Sequence, residues 1–265
     1  MDATSTTANA APLVHYEQPL NERIRRFLRL EFLFAQTRYH VGRGDAWATR
    51  DAVADLQEIL EALGQGDIKS EIISELERHA AHLEGLRERE GLDLQQLDAL
   101  LAEIRGLVER LHEQRGQPGA MLRNNEFLIA YRQRNAIPGG TCAFDLPRMH
   151  HWLQRPAAEQ QALLQQWYRH FATVEDAVTM ILRLVRETGR RGAATAHEGA
   201  YEQSLDANRP CQMIVVTLPQ DSECFPEISG SRHRITIRFL VQPDIDERPV
   251  QTREDVAFRL ACCGV

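Results

Sequence analysis

Lysine is nearly absent: Lys69 is the only one among 31 basic residues, so arginine is the cation of this chain. An arginine is therefore no sign of a site by itself, and only its placement is informative. No apolar run approaches the roughly 18 residues that cross a bilayer. The opening MDATSTTANAAP also lacks the basic start and the apolar stretch of an export signal. These absences predict a cytoplasmic protein with no membrane partner. Five cysteines, Cys142, Cys211, Cys224, Cys262 and Cys263, show no framework spacing, which predicts free thiols in a reducing compartment. A net charge of -7 leaves no broadly basic surface and argues against a general nucleic-acid binder. The GxSxG, HExxH and CxxC motifs and the glycine-rich phosphate loop are all missing, so neither an enzyme nor a cofactor is expected.

The candidate metal pairs lack further members. His79 and His82 stand three apart on a helix, but no Cys or third His follows at a motif distance, so no metal is expected. His150 and His151 are adjacent and point different ways on a helix, which predicts one packed and one exposed. No spacing around them supports a hydrolase. Cys262 and Cys263 would face opposite sides of a strand, at least one of them as a small buried hydrophobe.

What the chain does have is helical periodicity. With 265 residues, 43% of them hydrophobic, it is long enough for one large domain or two smaller ones. Residues 1–12 read as a flexible tail and 13–17 as a short strand. Asn21 caps a helix burying Ile24, Phe27, Leu28, Leu33 and Phe34, and a second helix runs from Asp45 to Gly64. Leu94, Leu97, Leu101, Ile104, Val108 and Leu111 form a coiled-coil seam, matched by Ile72, Leu76, His79, Leu83 and Leu86. The two segments should fold as an antiparallel hairpin, whose 12 acids and 6 bases between Asp67 and Gln114 hold most of the negative charge. Four more helices are predicted up to Gly189, one capped by Asp145 and one opened by the capping box Thr173 to Asp176. Strand-like runs then occupy 211–218, 232–241 and 256–263.

The expected class is α+β, predominantly α. A mainly helical domain over 13–190 contributes its first strand to a small antiparallel β domain over 211–265. Residues 191–210 read as a connector. An isolated three-stranded sheet would be marginal, which is why strand 13–17 should join it.

Within the sheet, SRHRITIRF (residues 231–239) is the most informative stretch. Strand alternation sends Ile235, Ile237 and Phe239 to a core and Arg232, Arg234, Thr236 and Arg238 to the other face. A solvated edge strand tolerates such a row without any function. A row of guanidinium groups also suits an acidic peptide, whose carboxylates arginine binds in a fork. A nucleic-acid binder using the same arginines is the alternative, but Phe239 faces the wrong side to serve as a stacking platform.

Four ordered motifs carry a family resemblance: YEQPLNE with LRLEFLF, IPGGTCAFDLPRMHHWL, FPEISGSRHRITIRF, and FRLACC. In that order they resemble the ZapD family of bacterial Z-ring associated division factors, from about residue 13 to Cys263. The resemblance implies a cytoplasmic, non-enzymatic homodimer at the mid-cell division site. Its partner would be the acidic C-terminal tail of FtsZ, whose filaments the dimer cross-links. It places Arg234 and Arg238 in the tail site, with Arg232, Lys69, Arg132 and Arg134 as weaker candidates chosen for local positive charge.

Overall fold

The computed structural model describes residues 12–264 except 90, 207–210 and 232. The expected tail before residue 12, and Arg232, lie outside the described residues. The elements run β1 (Leu13–Pro19), α1 (Glu22–Arg43), α2 (Ala46–Ala62), α3 (Ile68–Glu84), α4 (Leu94–Glu113), α5 (Ala120–Arg123), α6 (Glu126–Asn135), α7 (Pro147–Trp152), α8 (Ala157–Tyr168) and α9 (Ala172–Glu187). Strands β2 (Arg190–Ala196), β3 (Ala200–Ser204), β4 (Met213–Pro219), β5 (Cys224–Gly230), β6 (Arg234–Val241), β7 (Val250–Gln251) and β8 (Val256–Cys263) follow. The class is α+β, mainly α, with antiparallel sheets. The chain divides into a helical unit, Arg26–Arg183, and a β unit made of the chain up to Arg25 and from Leu184.

In the helical unit, helix starts follow their caps. Asp45 Oδ1 accepts the amides of Trp47 and Ala48 at 3.0 and 2.9 Å, and Asp93 Oδ1 those of Gln95 and Gln96. Helices α3 and α4 pair as an antiparallel hairpin. Lys69, at the start of α3, reaches the carbonyl of Gln114 beyond the end of α4, and Arg105 of α4 reaches Glu84 at the end of α3. Leu97, Leu101, Ile104, Leu107 and Leu111 of α4 bury against Ile68, Ile72, Leu76 and His79 of α3. The seam differs from the expected one at its edges: Leu94 is exposed and Leu107 is more deeply buried than Val108.

Two expected helix starts are corrected. Asp145 is no cap, since Leu146 holds that position without a side-chain bond and Asp145 instead pairs with Arg134. The Thr173 capping box is not used either, because α9 begins at Ala172 directly after the 3-10 turn Arg169–Phe171. The 3-10 turn joins α8 to α9 without a gap in the chain, so no orphan amides need a side-chain cap there.

The β unit holds two sheets. One is ordered β1-β4-β8-β2, and the other β3-β6-β5 with β7 also pairing β6. Strand β1 joins as expected, Leu13 to Pro19 facing Pro219 back to Met213. The stretch expected as a connector instead carries β2 and β3, paired with β8 and β6. One core cluster draws Ile214, Val216, Leu218 and Phe258 from the first sheet and Ile235, Ile237 and Phe239 from the second, so the sheets pack face to face. Cys211 and Cys262 form a disulfide with Cα atoms 5.6 Å apart, which corrects the expectation of free thiols. The β4–β8 ladder is the cause: it aligns Ile214 with Cys262 and carries the chain before Met213 past the end of β8. Cys263 is buried and free, and burial pushes its thiol up to about 11.

Candidate partner-binding site

Strand β6 is amphipathic as its alternation requires. Ile235, Ile237 and Phe239 are fully buried, and Arg234 and Arg238 are exposed on the opposite face. Four residues apart on one strand, the two arginines are about 13 Å from each other. β6 is no edge strand. It lies between β3 and β5, with Ser204 opposite Arg234 on one side and Glu227 opposite Arg238 on the other. The edge-protection reading of the arginines therefore fails, because pairing on both sides already protects this backbone.

The neighbouring strands supply carboxylates. Arg234 Nη1 lies 3.7 Å from Glu202 on β3, and Arg238 Nη1 lies 3.6 Å from Glu227 on β5. Arg238 Nε also donates to Gln251 Oε1 at 3.2 Å. The expected cationic row is thus a strip in which two arginines face two glutamates, formally neutral. All four side chains are more than half exposed. Such pairs contribute about 0–1 kcal/mol each, so a ligand carboxylate can exchange with either glutamate at small cost.

Arg132, Arg134 and Lys69 belong to the helical unit. Lys69 Nζ donates to the Gln114 carbonyl at 2.6 Å and so closes the α3–α4 hairpin. Beside it, the hydroxyl and amide of Ser70 hold the Asp67 carboxyl below its ordinary range, with the Lys69 charge adding to the effect. Arg134 Nη1 is 3.5 Å from Asp145. Arg132 is exposed and lines a cavity of about 570 Å³ formed by α2, α5 and α6. Arg123, which local charge did not single out, lines the same cavity and donates to the carbonyl of Leu60 at the end of α2. Only the fold reveals it, because α5 is a single turn with no periodicity of its own.

The other candidates of the sequence are placed as follows. His79 is buried, with Nε2 3.6 Å from Glu75. His150 and His151 are both exposed, not one packed and one exposed, because α7 has only six residues and buries Met149 alone. No group of three or more His, Cys, Asp or Glu side chains suited to a metal occurs among the described residues. No helix among them is long and apolar enough to cross a membrane.

Fold and site together describe an α+β protein that presents an ion-paired polar strip on a paired strand. Comparison with known proteins gives the family. The model for ZapD, described as a cell division protein, matches residues 28–238. Cell division protein ZapD of Methylococcus capsulatus is 40% identical over 248 residues, covering 94% of this chain and 97% of the relative. The ZapD of Bordetella petrii is also 40% identical, over 252 residues that cover 95% of this chain and 100% of the relative. That of Cupriavidus necator is 38% identical over 253 residues, with 95% and 100% covered. The chain belongs to the ZapD family of cell division proteins.

Proposed function

We propose that this chain is a cytoplasmic, non-enzymatic factor of the division site that binds the acidic C-terminal tail of FtsZ. As a homodimer it would cross-link FtsZ filaments into bundles and so promote Z-ring assembly and septation. The observation that carries the reading is the pair Arg234 and Arg238, held on a paired strand in weak ion pairs that an incoming carboxylate can replace. Each site binds weakly. Two sites in one rigid dimer raise the effective concentration for the second filament, and many weak contacts along two polymers add up to a stable bundle. Lys69 and Arg134 are engaged within the helical unit, so they contribute less than the β6 pair, while Arg132 remains a candidate beside its cavity.

The test is tail-peptide binding by fluorescence anisotropy and filament bundling by light scattering. Arg234→Ala with Arg238→Ala should weaken tail binding by about tenfold or more, equivalent to about 1.4 kcal/mol per decade. The matched control is Arg105→Ala with Arg110→Ala, which removes the same charge from comparably loose pairs at 3.8 and 3.6 Å on α4. A folded β6 variant that bundles as well as wild type would sink the reading. Binding of single-stranded nucleic acid at moderate salt, lost in the same variant, would favour the nucleic-acid alternative.

A further inference from the structure

A second recessed site lies within the helical unit, on the surface made by α6, α7 and α8. Its volume is about 440 Å³. The floor is aromatic: Phe127 stands 5.3 Å from Trp152 and 5.7 Å from Trp167, and the two tryptophans are 6.2 Å apart. The rim is cationic or polar. Arg148 lies over the ring of Phe127 at 5.6 Å, and Arg155 and the exposed His151 stand beside it. No carboxylate is among the side chains lining the recess. Arg155 is held by Glu159 at 3.0 Å, whereas Arg148 has no ion-pair partner among the described residues. An unpaired guanidinium at the edge of an apolar recess, in a protein of net charge -7, is a local inversion of the overall charge.

We propose that this recess docks an acidic peptide segment of a partner protein, seating one aliphatic or aromatic side chain on the aromatic floor while flanking carboxylates meet Arg148 and Arg155. Charge complementarity selects the acidic flanks, and the aromatic floor selects the apolar anchor. A nucleotide fits less well. Base stacking needs an open ring face, but Arg148 covers that of Phe127, Trp167 is buried, and the rings are inclined to one another by 39 to 78°. The inference is independent of the β6 arginines and does not rest on FtsZ being the partner.

The site carries its own reporters, because two of the three tryptophans of the chain, Trp152 and Trp167, line it. In full-length protein with Trp47→Phe, intrinsic fluorescence is titrated with the blocked pentapeptide Asp-Glu-Leu-Asp-Glu. Two control peptides replace the leucine by serine, or all four acids by their amides. The proposal expects a saturable spectral change with the first peptide and at least about tenfold weaker binding of both controls. Arg148→Glu, at an exposed position that leaves the floor intact, should weaken the first peptide by about tenfold or more, whereas Arg234→Ala with Arg238→Ala should leave it unchanged. An absence of saturable change up to about 5 mM overturns the proposal. Equal binding of the serine peptide, or displacement of the peptide by a short single-stranded oligonucleotide with its own saturable signal, does so as well.

Discussion

Arg186 and Glu17, separated by 169 residues, meet in a two-pronged ion pair: Nε lies 2.7 Å from Oε1 and Nη2 2.9 Å from Oε2. The pair fastens the first strand to the last turn of α9 inside the β unit. Fork-to-fork geometry and side chains only 33% and 22% exposed distinguish it from the loose surface pairs of β6. Bonds to charged groups of this kind are typically worth about 1.5–3 kcal/mol.

Glu17→Ala should therefore destabilise the β unit by about 1–3 kcal/mol, read as a lower urea midpoint with an unchanged slope. Removing residues 1–18, and β1 with them, should go further and raise amide exchange along β4. Removing only residues 1–11 should leave exchange in 213–219 unchanged. Equal protection after both truncations would show that β1 contributes nothing to the sheet.

Gly119 sits at φ 72° before α5. A methyl group there would stand 2.6 Å from Phe171 Cε1 and 2.7 Å from Leu60 Cδ2, both in the core. Strain from the left-handed backbone and overpacking act together, so Gly119→Ala should cost about 2–4 kcal/mol. Gly139, also at positive φ but with open space around its Cβ position, should cost about 1 kcal/mol for backbone strain alone. Thermal melts of the two variants compare the contributions directly.

Thiol counting checks the cysteines. Native protein should offer the half-buried Cys142 and Cys224 to a thiol reagent and keep Cys263 protected until unfolding, with Cys211 and Cys262 appearing only after reduction. The chain-entropy account gives about 4 kcal/mol for a bond that closes a 51-residue separation, so reduction should lower the denaturation midpoint. Alkaline pH acts through Cys263. The unfolded chain ionises this thiol near its ordinary value of 9.0, while the folded chain resists until about 11, so the unfolded state binds fewer protons in between. Stability should fall as pH rises through that window, by up to about 1.4 kcal/mol per pH unit from this group. Cys263→Ala should flatten the fall.

The proposed dimer is tested by sedimentation. A cross-linker needs two sites, so the protein should sediment as a dimer at micromolar concentration. A monomer there would remove the bundling mechanism.

The hairpin of α3 and α4 was legible because a repeat of three and four apolar steps survives tertiary packing, and β1 because a small sheet needed another strand. β2 and β3 were not. RRGAATA and AYEQS hold few of the branched and aromatic residues that favour strands, and only pairing with β8 and β6 holds them extended. β5 contains Pro226, which reads as a break, yet β5 lies at a sheet edge where a missing amide is tolerated. These gaps explain the incomplete picture of the site. The arginines of β6 were visible in the sequence, but Glu202 and Glu227, which neutralise them, come from β3 and β5, two of the strands that were not. The disulfide was hidden for a similar reason, since strand register and not spacing brings Cys211 to Cys262.

The pairing of β1 with β4 has a consequence for biosynthesis. His15 and Thr217, bonded side chain to side chain at 2.8 Å, are 202 residues apart. At ~5–20 residues per second of translation, the first strand leaves the ribosome about 10–40 s before its partner. The whole helical unit is made in that interval, and domains generally fold as units during synthesis. Until then Val14 and Tyr16 stay unpaired and open to chaperones, so this protein should acquire its β unit only after release, with helical structure long since in place.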